Sequence, residues 1–288
     1  MINPCLGRYG EKMLEIPEAY VLSQQLNNTL SGKIVKKVTV NQSPHKFAWF
    51  YKEPHEYPKN MESKRVGKIS NISGMVEIEI GDYNLVFGDG VNLRYIEWDG
   101  KIPPKHQLSL LFDDDSTLIA SVQMYGGMWC FKPGEYDNSY YHIAKAALSP
   151  LSKDYTYDYF MAFVEKSEYQ KLSVKALLAT EQRIPGLGNG VLQDILYHSF
   201  LHPKRKVASL SSEEKEQLFN SLKKTLSDMV ALGGRDTEKD LFGNAGGYVT
   251  KVSKNTVGKP CQKCSASIVK EAYMGGSIYY CPECQRLV

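Results

Sequence analysis

Four cysteines near the C-terminus, Cys261, Cys264, Cys281 and Cys284, are spaced C-x2-C-x16-C-x2-C. Two such knuckles supply four thiolates, the donor set that a tetrahedral Zn²⁺ prefers. With all four positions filled by protein no site is left for water, so the expected ion is structural; a pair of redox dithiols is the alternative reading of the same spacing. A second candidate is MLEIPEAY, residues 13–20, where Glu15 and Glu18 flank Pro17. Carboxylates so placed can accept a proton or activate water. They equally suit the first turn of a helix, where each favours the dipole by ~0.3–1 kcal/mol. A third is IPGLGNG, residues 184–190. Gly186 and Gly188 permit close backbone approach, Asn189 is a good N-cap, and the N–H groups of such a turn suit a phosphate. The same turn can also do no more than join two helices.

The elements that must hold these residues fall into two patterns. Leu22, Leu26 and Leu30 repeat at helical spacing, predicting a helix over 18–30 with Pro17 in its first turn and Gly32 at its stop. From residue 33 to about 131 the runs KIVKKVTV, GMVEIEIG, YNLVFGDG, VNLRYIEW, HQLSLLF, TLIASVQM and GGMWCF are short and alternating, as hairpin-paired strands of a sandwich or barrel would be, with a tight turn at FDDDST. Residues 134–156 are rich in Pro, Ser, Asp and Tyr and read as a linker. Helix-period runs follow. One is expected to end near Arg183, and another begins at Asn189 or just after. The last opens on a capping box, Ser211 and Glu214, and closes at Gly233. Residues 233–258 are glycine-rich and read as a mobile loop. SIVKEAY and SIYY read as two strands joined at Met274-Gly275-Gly276 between the cysteine knuckles.

Bulk properties set the frame. The chain has 288 residues, 42% hydrophobic and 23% charged, as in a globular protein of about two domains. No apolar run reaches the ~20 residues that span a bilayer, and MINPCLGRYGEK lacks a secretory core. A cytoplasmic monomer without membrane attachment is expected, with thiols reduced and with Cys5 and Cys130 as plain thiols. The net charge of +3 is uneven, −3 over residues 1–170 and +6 over 171–288. A basic C-terminal part fits a polyanion partner, or an ordinary uneven surface.

Taken together, the Glu-Pro-Glu helix start, the β-rich region, IPGLGNGVLQDILYHSFLHP, the glycine-rich loop and the four cysteines resemble the formamidopyrimidine-DNA glycosylase / endonuclease VIII family. The resemblance covers nearly the whole chain from Met13. It implies an α+β fold: an N-terminal β-sandwich with its N-terminal helix (13–133), the linker (134–156), a helix-two-turn-helix DNA-binding domain (157–250) and a zinc-finger β-hairpin (251–288), after an extension at 1–12. It implies double-stranded, damaged DNA in a cleft between the domains, a flipped base and N-glycosylase activity in base-excision repair, and a nucleoid-associated location if the chain is bacterial. Asn189 matches a phosphate-binding asparagine. Gly186, Gly188, Lys175, Lys204, Arg205, Arg235 and Tyr125 are further candidate DNA contacts. Glu15 matches the glutamate that handles the sugar-ring proton, and Glu18 a second, buried glutamate. The chain departs from the family pattern at four places. Leu14 stands where the N-terminal proline nucleophile belongs. Gly276 replaces a phosphate-gripping arginine of the hairpin. Gly74 aligns with a lysine, and Gln123, Met124 and Tyr125 stand where an arginine and a phenylalanine fill the gap left by the flipped base. Two readings follow. One is a glycosylase with altered chemistry, in which Glu15 activates water and little or no strand cleavage follows. The other is an inactive protein that binds lesions or distorted DNA.

Overall fold

The computed structural model describes residues 14–287; the 1–12 extension and Cys5 lie outside the described residues. The chain divides into two compact units. The first contains the described residues up to Lys145 together with Gly233–Gly247. The second contains Ala146–Leu232 and the residues from Tyr248 onward.

The first unit begins with helix α1, Ile16–Leu30. Pro17 occupies its first turn, where the missing N–H costs nothing, and Gly32 just past its end has φ +85°. Strands β1 (Val35–Val40), β2 (Ala48–Phe50), β3 (Val66–Ile72), β4 (Met75–Ile80), β5 (Tyr83–Ile96), β6 (Leu108–Phe112) and β7 (Thr117–Phe131) form one continuous sheet. Its order is β1-β6-β7-β5-β4-β3, with β2 added in parallel to β7; helix α2 (Tyr57–Met61) lies between β2 and β3. The outer ends of the sheet share one core. Val35, Val38 and Leu110 from one end meet Ile69, Val76 and Ile78 from the other, with Leu22, Leu26 and Leu30 of α1. Each of these leucines is almost wholly buried, a gain of ~1.5–3 kcal/mol apiece before entropy.

Four strands expected from the pattern are two. YNLVFGDG and VNLRYIEW are one strand, β5, with a register shift between Asp89 and Val91. TLIASVQM and GGMWCF are likewise one strand, β7. Their glycines are not breaks but close approaches. Gly88 pairs with Gly127, and a Cβ on Gly127 would fall 1.8 Å from the Trp129 ring. Strand β3 carries little alternation, and so was not legible in the sequence. Within the expected linker, Ser139–Ala146 forms helix α3. Tyr141 and Ala144 of α3 pack with Trp129, Phe131 and Tyr136 into a second cluster on β7.

The second unit is helical: α4 (Tyr157–Val164), α5 (Val174–Ala179), α6 (Asn189–His198) and α7 (Ser212–Ala231). Helix α5 stops four residues before Arg183. Thr180 is extended, Glu181 and Gln182 take positive φ, and the Arg183 guanidinium donates to the Ala176 and Thr180 carbonyls. The Ser211–Glu214 capping box of α7 is formed in both directions. Strands β8 (Val269–Tyr273) and β9 (Gly276–Tyr280) make the C-terminal hairpin. Its turn residues Met274 and Gly275 have φ 52° and 74°, as a two-residue hairpin of the right twist requires.

Asp194 of α6 was not singled out by the sequence, yet it ties this unit together. It is fully buried and accepts the backbone N–H groups of Lys251 (2.9 Å) and Val252 (2.9 Å). Asp194→Ala leaves those donors buried without acceptors, at ~1–3 kcal/mol each. Chemical denaturation is expected to show a loss of about 2–4 kcal/mol, and a loss below about 0.5 kcal/mol would contradict this role.

Candidate functional site

In the first unit the two glutamates at the head of α1 converge on one cation. Glu15 is the N-cap residue, with extended backbone, but its side chain makes no capping bond; its carbonyl accepts the Ala19 N–H instead. Glu15, Glu18 and Arg235 are 3%, 6% and 3% exposed, so these charges sit out of water. Arg235 grips Glu18 with two parallel bonds, Nε to Oε1 at 2.8 Å and Nη2 to Oε2 at 2.9 Å. Its Nη1 lies 3.6 Å from Glu15 Oε2. Burial alone would lower the guanidinium pKa, but the Glu15 and Glu18 charges more than reverse that and raise it. Arg235, expected as a DNA contact on a mobile loop, is thus a buried ion-pair residue.

The segment that carries Arg235 is fastened to the same helix. Gln25 of α1 donates to Asp240 (3.1 Å) and accepts the Leu241 N–H (3.0 Å), and the Tyr95 N–H of β5 donates to the Leu241 carbonyl (3.0 Å). Leu241 itself is buried in the sandwich core. Residues 233–247 contain no helix or strand, yet these bonds fix their path.

Leu14 stands directly before the glutamates. Its side chain is buried in the sandwich core, and its N–H donates to the Asp89 carbonyl at 2.8 Å. That nitrogen is an amide with its hydrogen already committed, and it has no lone pair available for attack on carbon. Asp89 takes φ +55°, and burial pushes its carboxyl up to about 6. A cavity of about 240 Å³ opens here, with Leu14, Glu18, Arg94, Lys105, Gln123 and Lys239 in its lining. Gly74 follows Ser73 in the β3–β4 turn. Tyr125 of β7 lies against Trp49, with ring centroids 5.6 Å apart, and Met124 beside it is half exposed.

In the second unit, Gly188 is the N-cap of α6 and Asn189 its first residue, one step later than a capping role for Asn189 requires. The Asn189 amide instead donates to the Ser277 carbonyl of β9 at 2.8 Å. Gln193, one turn on, donates to the same carbonyl and accepts the Tyr279 N–H. The Asn189 Oδ1 is buried and makes no hydrogen bond. Gly186 has φ +75°, a backbone that only glycine adopts freely, whereas Gly188 is extended.

The basic residues expected beside this turn are already engaged. Lys175 is buried, donates to the Tyr273 carbonyl at 2.8 Å, and is pushed down to about 8 by burial. Lys204 pairs with Glu271. Arg205 holds Ser209 and the capping-box Glu214. The Lys175 and Lys204 contacts were out of reach of the sequence because their partners lie 98 and 67 positions away, whereas the Arg205 partners are near in the chain.

The sulfurs of Cys261, Cys264, Cys281 and Cys284 all lie within 4.8 Å of one another. Cys261 to Cys284 is 3.9 Å and Cys264 to Cys281 is 3.3 Å. A tetrahedron with metal–sulfur bonds of ~2.3 Å has edges of ~3.8 Å, so donor type, number and spacing fit a bound metal ion. Gln285 braces the cluster, accepting the Cys281 N–H and donating to the Leu201 carbonyl. Ile268, Tyr279, Tyr197 and Val252 pack around it.

The fold and sites so described define a β-sandwich joined in one chain to a helix-two-turn-helix unit that carries a four-cysteine hairpin. Residues 146–240 match the family described as the formamidopyrimidine-DNA glycosylase H2TH domain. Formamidopyrimidine-DNA glycosylase of Cytobacillus firmus is 25% identical over 282 residues, 95% of this chain and the whole of that protein. The Bacillus cereus enzyme of the same name is 25% identical over 284 residues, 95% of this chain and 99% of its own. The fold is shared with Lactococcus lactis Fpg solved with DNA containing an abasic site, at TM-score 0.80, 21% identity and coverage of 94% and 99%. It is shared also with Thermus thermophilus Fpg, at TM-score 0.78, 20% identity and coverage of 95% and 99%. Over nearly its whole length the chain is thus similar to proteins named formamidopyrimidine-DNA glycosylase and shares their fold. Among the described residues no helix is long and apolar enough to cross a membrane.

Proposed function

We propose that this protein binds damaged double-stranded DNA and releases the damaged base as an N-glycosylase that has no amine nucleophile. The observation that carries the reading is the pair of neighbours Leu14 and Glu15. The residue in the nucleophile's place offers only an amide N–H bonded to Asp89, while the carboxylate that follows it is kept, buried and charge-compensated. In this reaction Glu15 takes a proton from water as the water oxygen bonds to sugar C1′. The C1′–N bond breaks with its electron pair going to the base, and the base is protonated by solvent. A carboxylate also favours the oxocarbenium-like state on that path. Damage to the base lowers the few kcal/mol needed to unstack it.

The N-terminus of α6 supports DNA backbone contact in the second unit, since the positive helix end favours phosphate. The four cysteines would hold a structural Zn²⁺, which supplies no chemistry to the reaction and fixes β8–β9 against α6. The relatives of this chain are DNA glycosylases by name, which supports the substrate class.

Borohydride trapping tests the mechanism. Duplexes carrying a formamidopyrimidine, an oxidised pyrimidine or an abasic site are expected to yield base loss without a covalent protein–DNA adduct and without strand cleavage. A trapped adduct would sink the proposed chemistry. A second reading, a lesion-binding protein without catalysis, is favoured by one observation: Arg235 already occupies both carboxylates. Binding to these duplexes with no base loss, unchanged by Glu15→Gln, would establish it.

A further inference from the structure

We propose that Arg235 is the positioning residue of the carboxylate site, one buried guanidinium that fixes Glu18 by two bonds and orients Glu15 for its work as a base. The proposal rests on the base-release reading above. Its ground is geometric. A guanidinium has a planar fork of nitrogens, and here Nε and Nη2 are spent on Glu18 while Nη1 is turned to Glu15. An ammonium could not meet both carboxylates in this way. A flexible glutamate held in one arrangement beside its reacting water loses less freedom at the moment of reaction.

The backbone delivering Arg235 is built to stay still. Gly233 and Gly234 have φ +75° and +99°, which other residues adopt only with strain. Gly246 packs so closely that a Cβ there would fall 2.2 Å from the Gly234 carbonyl carbon. The Arg235 N–H itself points at Glu18 Oε1, 3.4 Å away. Gln25, on the helix that carries both glutamates, holds Asp240 and Leu241 of the same segment. The segment is therefore tied to α1 at two places, Arg235 to Glu18 and Asp240–Leu241 to Gln25.

The test uses full-length protein with Arg235→Ala and Arg235→Lys on the duplexes above. Arg235→Ala is expected to lower single-turnover base release about 100-fold while its Kd for an abasic duplex stays within about threefold. Methylguanidinium at about 10 mM should restore the Ala variant at least tenfold and leave the unmodified protein unchanged. Arg235→Lys keeps charge without the fork and should fall between the two. An Ala variant within threefold of the unmodified rate overturns the proposal, as does joint loss of rate and affinity that methylguanidinium does not relieve. If the unmodified protein releases no base from any duplex, the base-release reading fails on its own. Thermal melting of the Ala variant then separates the remaining cases: stabilisation by methylguanidinium marks Arg235 as a structural cation, and no stabilisation removes the shared-cation geometry as well. Either result overturns the positioning role.

Discussion

Glu15→Gln is expected to slow single-turnover base release by about 10³-fold while leaving the affinity for an abasic duplex within about threefold. Gln is nearly isosteric with Glu and still accepts a hydrogen bond, but its amide cannot take a proton from water. General acid–base groups contribute 10²–10⁴-fold, and here no neighbouring amine offers a second route, because the Leu14 nitrogen is an amide bonded to Asp89. The variant also halves the negative charge facing Arg235 across 3.6 Å, so its melting temperature must be measured beside its rate. A folded Glu15→Gln protein that releases base at the wild-type rate would remove Glu15 from the chemistry. Glu18 is then the carboxylate to examine, since it lines the 240 Å³ cavity.

Removing the metal should have the largest effect on structure. Structural zinc sites contribute ~10–16 kcal/mol of apparent binding energy in small modules, and that energy is folding energy. The hairpin β8–β9 has only two strands, too few to stand alone, and its buried Tyr279 packs in the cluster that contains Cys261 and Cys281. Elemental analysis is expected to give about one zinc per chain. A strong chelator, or the Cys281→Ala variant, should abolish amide-exchange protection over Val269–Tyr280, while β4, β5 and β7 stay protected. DNA affinity should fall with it, because Asn189 and Gln193 lose the Ser277 carbonyl that orients them. A metal-free protein with a protected hairpin and unchanged affinity would refute the structural assignment.

Charge in the second unit carries a lesson about surfaces. Lys175, Lys204 and Arg205 look available to phosphate when only their positive charge is considered. In the folded chain one serves a backbone carbonyl, one an acidic strand residue and one a helix cap. Counting cations in a sequence therefore overstates the electrostatic footprint wherever their partners are supplied by chain folding.

The sequence by itself determined what short-range spacing governs. Two residues between paired cysteines bring their sulfurs into one cluster. Ser211 and Glu214 close a cap across one turn, and leucines four apart put one face of α1 into a core. Glycine beside Met274 likewise specifies its hairpin turn. Tertiary structure alone decided what depends on distant partners. The continuity of β5 and β7 through their glycines rests on the Trp129 ring lying over Gly127. Helix α3 was hidden because it is only eight residues long and lies in a stretch rich in Pro, Ser, Asp and Tyr, and it packs on Trp129, Phe131 and Tyr136. Above all, the pairing of Glu18 with Arg235 spans 217 positions of chain. No periodicity or local propensity encodes such a meeting; it exists because the sheet closes over α1 and returns the glycine-hinged segment to the head of that helix.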